Sequence, residues 1–179
     1  MFLGTSRNCV SHAKASKSHA VVKKKPSCGD HLTLTAVYGC GLSASGALAI
    51  PQLVVNDRFV TAREAHKPLR ISHMNVRKIK HIAAGFGFSL FASKDKLFGS
   101  GLNNRFQITT HIKNAGLRLQ EYYISAKRIH LPIETTILSV SSGRAHSLVN
   151  TTSGVFAFGD NTFGQCGQNP EQCRGIYGV

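Results

Sequence analysis

The sequence predicts an all-β chain, folded as a partial β-propeller of about three four-stranded blades. Three observations carry that expectation: an internal repeat, a third partial copy upstream of it, and short β-prone runs cut by glycine-containing turns. Residues 82–108 align without a gap on residues 140–166, an offset of 58. Gly85 falls on Gly143, Ser89 on Ser147, Leu90 on Leu148, Phe98 on Phe156, Gly101 on Gly159, Asn103 on Asn161 and Gln107 on Gln165. Upstream, residues 37–48 repeat the second half of the unit, with Gly41 and Gly46 five apart as Gly159 and Gly164 are. A glycine that recurs beside strand ends marks positive φ or close backbone approach. Gly41, Gly46, Gly85, Gly101, Gly143, Gly159 and Gly164 are therefore expected to be structural.

The strands follow in order within each unit. A first is expected over 78–84 and 136–142, each running into a glycine; a second over 88–92 and 146–150; a third over 96–99 and 154–158. Lys94-Asp95-Lys96 and Thr152-Ser153-Gly154 read as hairpin turns between the second and third strands. A fourth strand is expected over 129–133, where Pro132 is tolerable only at an edge or a strand start because it has no N–H for the ladder. Four short antiparallel strands per unit of roughly 40 to 60 residues make a propeller blade.

Gly143-Arg144-Ala145-His146-Ser147-Leu148-Val149, then Gly154-Val155-Phe156-Ala157-Phe158-Gly159-Asp160-Asn161, then Phe163-Gly164-Gln165-Cys166-Gly167, resemble one repeat of the regulator-of-chromosome-condensation family. The copies containing Ser45-Gly46-Ala47-Leu48 with Ile50-Pro51, and Ala84-Gly85-Phe86-Gly87-Phe88, are most similar to the mitochondrial branch of that family, its guanine-exchange-factor-like members. The resemblance covers residues 37–167, with insertions at 52–77 and 109–134, and departs where Phe88 stands for the usual His and Phe106 for the usual Gly. It implies a seven-bladed ring. A closed ring of that size needs on the order of 350 residues, so residues 31–179 are expected to form an incomplete ring and the chain to be a truncated product. The resemblance also implies that His146 is a buried structural residue hydrogen-bonded between strands. Two functions from different classes follow from it: a non-enzymatic mitochondrial scaffold for RNA or mitochondrial ribosome components, or a guanine-nucleotide exchange factor for a small or dynamin-like GTPase.

Charge bears on both. Lys plus Arg is 22 against 8 Asp plus Glu, a formal net charge of +14, which favours an acidic partner or an organelle address. The densest stretch is 58–80, where Arg58, Arg63, Lys67, Arg70, Arg77, Lys78 and Lys80 face only Glu64. Each phosphate neutralised by such a cation releases counterions, so these seven are the candidate RNA contacts, with Phe59, His66 and His73 as stacking groups. A solvated loop is the alternative reading. Arg105, Arg118, Lys127 and Arg128 repeat the theme more sparsely.

Residues 1–30 read as a segment ahead of the propeller. They carry Arg7, Lys14, Lys17, Lys23, Lys24 and Lys25 with five serines, and reach their first acid at Asp30. That is the composition of a mitochondrial transit peptide. A nuclear address on Val22-Lys23-Lys24-Lys25-Pro26 and a disordered basic tail are the alternatives. Localisation is expected in the matrix or against the inner membrane as a peripheral protein, since no apolar run approaches the roughly 18 to 20 residues of a membrane span.

Catalytic and cofactor signals are weak. Cys9, Cys28, Cys40, Cys166 and Cys173 are odd in number and scattered, with no C-x-x-C, so neither a disulfide framework nor a metal site is encoded. Gly39-Cys40-Gly41 and Gly85-Phe86-Gly87 do not complete a dinucleotide fingerprint and no βαβ unit surrounds them. His146 and Ser147 are neighbours in a strand and point to opposite faces, which excludes a dyad. The expectation is a protein that is not an enzyme, with no cofactor and no small-molecule substrate.

Overall fold

The computed structural model describes residues 19–24, 35–54, 64–108, 122–170 and 177–178. Among them the chain forms three antiparallel sheets. The first contains β1 (His19–Lys24), β2 (Thr35–Leu42) and β3 (Glu64–Arg70). The second runs β4 (His81–Ala84), β5 (Phe88–Ala92), β6 (Leu97–Leu102) and β7 (Tyr122–Ile129). The third runs β8 (Ile137–Ser142), β9 (His146–Thr151), β10 (Gly154–Gly159) and β11 (Tyr177–Gly178). In each sheet, neighbours in sequence are neighbours in space, which is the meander of a propeller blade.

The middle sheet explains its own sequence. All five residues of β5 are buried, so it lacks the alternation of a half-exposed strand. Phe88, Leu90 and Ala92 enter one cluster with Leu97, Ile108, Ile129 and, from the third sheet, Val140, Val149 and Phe158. Phe91 and Phe98 point the other way, into a cluster with Val37, Ala49, Ile71, Met74 and Ile79. A strand covered on both faces reads as a continuous apolar run because each side of the pleat meets a packed neighbour. β4 of the second sheet and β8 of the third lie side by side, and the Ile137 N–H donates to the Lys94 carbonyl at 2.7 Å.

Repeat equivalence holds in the backbone. Phe88 pairs with Gly101 across β5 and β6, and His146 with Gly159 across β9 and β10. Gly41, Gly101 and Gly159 have φ of 103°, 101° and 111°. A Cβ on Gly159 would lie 2.5 Å from the Ala145 carbonyl oxygen, and one on Gly101 would overlap the carbonyl oxygen of Gly87. The same carbonyls accept hydrogen bonds from Asp160 (2.9 Å) and Leu102 (2.8 Å), so the close approach is what closes the strand pair. Five residues further on, Gly46, Phe106 and Gly164 take φ of 82°, 61° and 75°.

Several expectations are corrected. The fourth strand of the second blade is Tyr122–Ile129, ahead of the 129–133 stretch: Tyr-Tyr-Ile-Ser-Ala-Lys-Arg-Ile is donor-complete and β-prone, whereas Pro132 falls in a bend. The segments expected as insertions, 52–77 and 109–134, contain the outer strands β3 and β7. β4 begins at His81 and not at 78, because Lys78 has φ of 47° and Ile79 turns into the core. β1 lies inside the 1–30 segment and pairs with β2 from His19↔Cys40 to Lys24↔Thr35, so a boundary at residue 30 cuts through a sheet.

Candidate functional site

The connector from the first sheet to the second carries the described part of the basic stretch. Ile71, Met74 and Ile79 are buried, and the Ile71 N–H donates to the Val37 carbonyl at 2.8 Å. The single helical turn α1 (Ser72–Asn75) sits between them, with Asn75 Oδ1 accepting from the Val37 N–H at 3.3 Å. Those apolar anchors fix which way the rest must face. Arg70, His73, Val76, Lys78 and Lys80 are exposed, and the Lys80 N–H donates to the Ala92 carbonyl at 2.7 Å. Residues 64–80, for which a solvated loop is the alternative reading, form a strand, a helical turn and an anchored linker. Of the seven candidate cations, Lys67 and Arg70 lie on the exposed outer strand β3, and Arg77, Lys78 and Lys80 on the linker; Arg58 and Arg63 lie outside the described residues.

Arg77 differs from the others. It is half-buried, its guanidinium lies 4.3 Å from the centre of the Phe98 ring, and its Nη1 is buried with no hydrogen-bond partner among the described residues. Phe98 pairs with Arg128 across β6 and β7, and Gly99 with Lys127. Directly opposed residues share a face of the sheet with Cβ atoms about 5 Å apart. Arg128 thus shares the Phe98 face of the sheet, and Arg128 and Lys127 are exposed. The field shows in the histidines: burial, and then Arg77, lowers the His73 pKa below its usual 6.5, while burial, and then Lys80, lowers that of His81. Sequence reading assigns Arg128 little weight and misses Phe98 as its partner; the recurrence of Phe98 and Phe156 at the repeat offset is the available signal.

The repeat signature residues have structural employment. Asn103 Oδ1 accepts from the Ile108 N–H at 2.9 Å and Asn161 Oδ1 from the Cys166 N–H at 2.9 Å. Gln107 Oε1 accepts from the Arg105 N–H at 2.8 Å, and Gln165 Oε1 from the Phe163 N–H at 2.7 Å. Each Asn-Gln pair clamps the same turn. Ser147 Oγ donates to the Gln107 carbonyl at 2.9 Å, tying the third blade to the second. In the second blade the equivalent Ser89 Oγ is buried without a partner among the described residues, and Ser100, its cross-strand neighbour, donates to the Ala47 carbonyl of the first blade at 3.2 Å.

His146 is corrected from buried to half-buried. Its ring lies over Gly143 as the Phe88 ring lies over Gly85, but Phe88 has the third sheet packed against it. With the Ser147 hydroxyl committed to a carbonyl, these two residues have no catalytic arrangement. Among the described residues no group of three His, Cys, Asp or Glu is placed to hold a metal, and no helix is long and apolar enough to cross a membrane.

Comparison with known proteins bears on the repeats directly. Residues 137–165 match the regulator of chromosome condensation (RCC1) repeat. The chain is 39% identical to the human RCC1-like G exchanging factor-like protein over 74% of its own length and 32% of the relative, with the same figures for the mouse protein. It thus spans about a third of the curated relatives it matches. The crystal structure of human WBSCR16 superposes with a TM-score of 0.68 at 34% identity, over 80% of this chain and 39% of that one. Prp20p of Saccharomyces cerevisiae, described with its binding properties to Gsp1p and histones, superposes with a TM-score of 0.57 at 20% identity, over 76% of this chain and 29% of that one, a likeness of fold.

Proposed function

Since the repeats of this chain are those of the regulator of chromosome condensation family, we propose that it is a non-enzymatic mitochondrial propeller scaffold that binds RNA or mitochondrial ribosome components. The observation that carries this reading is the set of six exposed cations on the outer strands and the linker of two adjoining blades: Lys67 and Arg70 on β3, Lys78 and Lys80 on the linker, Lys127 and Arg128 on β7. Anchoring of the connector by Ile71, Met74 and Ile79 holds Lys78 and Lys80 in fixed positions, which lowers the ordering cost of meeting a chain of phosphates. A mitochondrial address rests on the basic, acid-poor start of the chain. Because β1 begins at His19, a presequence cut that spares the first sheet falls upstream of that residue.

The test is binding of single-stranded RNA to the full chain across a salt series, together with targeting of a reporter fused to residues 1–30. Affinity that falls linearly on logarithmic axes, with reporter in mitochondria, supports the reading. A nuclear reporter or no RNA binding at low salt rejects it.

A second reading is favoured by the names of the relatives, which are exchange-factor-like, and by the pairing of Prp20p with Gsp1p. Nucleotide exchange needs no catalytic side chain, only a surface that prefers the nucleotide-free GTPase over the loaded one. Accelerated nucleotide release from a GTPase, at a salt concentration that abolishes RNA binding, would select it.

A further inference from the structure

Arg77 is held where a solvated cation would not be. Its guanidinium is stacked 4.3 Å from the Phe98 ring centre, and one of its nitrogens is buried with no partner among the described residues. A buried donor without an acceptor is unfavourable unless something else completes it. Arg128, the cross-strand partner of Phe98, lies on the same face of the sheet and is exposed. Two like charges on one face of the sheet repel. An oxyanion accepting from both guanidinium groups would relieve each of these conditions at once.

We infer that Arg77 and Arg128 form a seat for one phosphodiester of single-stranded RNA in the seam between the first two blades. This rests on the RNA reading above and deepens it by fixing one contact point. A stacked, planar fork suits a phosphate, to which it can donate two parallel hydrogen bonds. The neighbouring cations favour a polymer of phosphates over a lone anion. Lys67 and Arg70 are three residues apart on a strand, about 10 Å at the usual rise, Lys78 and Lys80 follow on the linker, and Lys127 adjoins Arg128. The remaining cations then supply charge along the strand while the seat fixes its register.

The experiment measures binding of a single-stranded RNA oligonucleotide to the full chain and its Arg77→Lys, Arg128→Lys and doubly substituted forms, with thermal denaturation of each. Arg77→Lys keeps the charge and loses the planar fork. The expected result is an affinity loss of about tenfold, the weight of one charge-assisted hydrogen bond, with an unchanged salt slope. The double substitution should lose less than the product of the two single losses, because both side chains serve one phosphate. Should Arg77→Lys lower the melting temperature, displacement of the oligonucleotide by pyrophosphate at constant ionic strength gives a second reading: the seat requires weaker displacement from the variant than from the parent. Binding of Arg77→Lys within about twofold of the parent, with binding lost when Arg70, Lys78 and Lys80 become Gln, overturns the seat and leaves the RNA reading standing. A parent chain that ignores RNA and binds cardiolipin-containing phosphatidylcholine vesicles or polyglutamate overturns both.

Discussion

Gly143 and His146 compete for one volume: a Cβ on Gly143 would overlap the imidazole ring of His146, three residues along the chain. The Gly143 N–H donates to the His146 carbonyl at 2.9 Å, so the backbone turn that seats the ring also excludes a side chain beneath it. The second blade does the same with Gly85 and Phe88. The third residue after the glycine can thus change from imidazole to phenyl, provided that the glycine stays.

Gly143→Ala is therefore expected to destabilise the chain by about 1 to 3 kcal/mol, the usual cost of overpacking a filled site. Removing the ring should relieve it. In a denaturation cycle, Gly143→Ala combined with His146→Ala will cost less than the sum of the two, and strict additivity would show that the ring is not what excludes the methyl.

Phe106 stands with φ of 61° where the flanking repeats place Gly46 and Gly164. A left-handed backbone costs a non-glycine residue roughly 1 to 2 kcal/mol. Phe106→Gly releases that strain, so its measured cost should fall well under the roughly 3 to 5 kcal/mol of a buried Phe truncation. Phe88→Ala, at a fully buried site, serves as the comparison in the same denaturant series.

Asn161 is 1% exposed, accepts from Cys166 and donates through Nδ2 to the carbonyls of Gln168 and Asn169, both at 3.1 Å. Asn161→Ala leaves a buried N–H and two carbonyls without that partner. A loss of about 1 to 3 kcal/mol in urea unfolding is expected, and Asn103→Ala should follow for the Ile108 N–H. Asn150→Ala, at an exposed position of β9, is the control and should cost far less.

Stability should fall on mild acidification. Half-buried His81 titrates below 6.5 through burial and then Lys80, and His73, exposed but partly desolvated on its packed side, is lowered through that desolvation and then Arg77, so the unfolded chain binds protons more readily than the folded one. Their contribution is whole above about 6.5 and is eroded as pH falls from there through the folded values. Asp160 acts with the same sign at lower pH. The Thr162 hydroxyl, donating at 2.6 Å, holds its carboxyl below 3.8, so its contribution is present above 3.8 and lost as pH falls through the folded value. Unfolding midpoints against pH should show both falls; His73→Gln with His81→Gln should flatten the first, and Thr162→Val the second.

Charge removal should act by number. Changing Arg70, Arg77, Lys78 and Lys80 together to Gln is expected to weaken RNA binding and reduce the logarithmic salt slope by up to about 0.7 for each phosphate no longer neutralised. Circular dichroism should remain that of a β-rich chain. An unchanged slope would move the RNA-binding surface elsewhere.

The repeat was legible in the amino-acid sequence because its turns are local. Asn161 reaches Cys166 and Gln165 reaches Phe163 within one turn, and a glycine with φ near 100° has no substitute at positions 41, 101 and 159. Residues with such short-range duties must recur at fixed spacing, and from that spacing alone the strands β5, β9 and β10 could be placed within a residue. The basic stretch was legible as composition.

Tertiary structure alone decided the outer strands and the setting of the charges. β3 and β7 pair with β2 and β6 across long intervening segments, and an edge strand satisfies its ladder on one side with main-chain atoms that any sequence supplies. No spacing rule therefore announces it. The stack of Arg77 on Phe98 joins the inter-blade linker to the middle sheet, and the opposition of Phe98 to Arg128 depends on the bulge between Gly99 and Gly101 and on a strand whose start the sequence did not mark. Local turn chemistry is written residue by residue, whereas contacts between blades arise only once the apolar clusters on both faces of the middle sheet have closed.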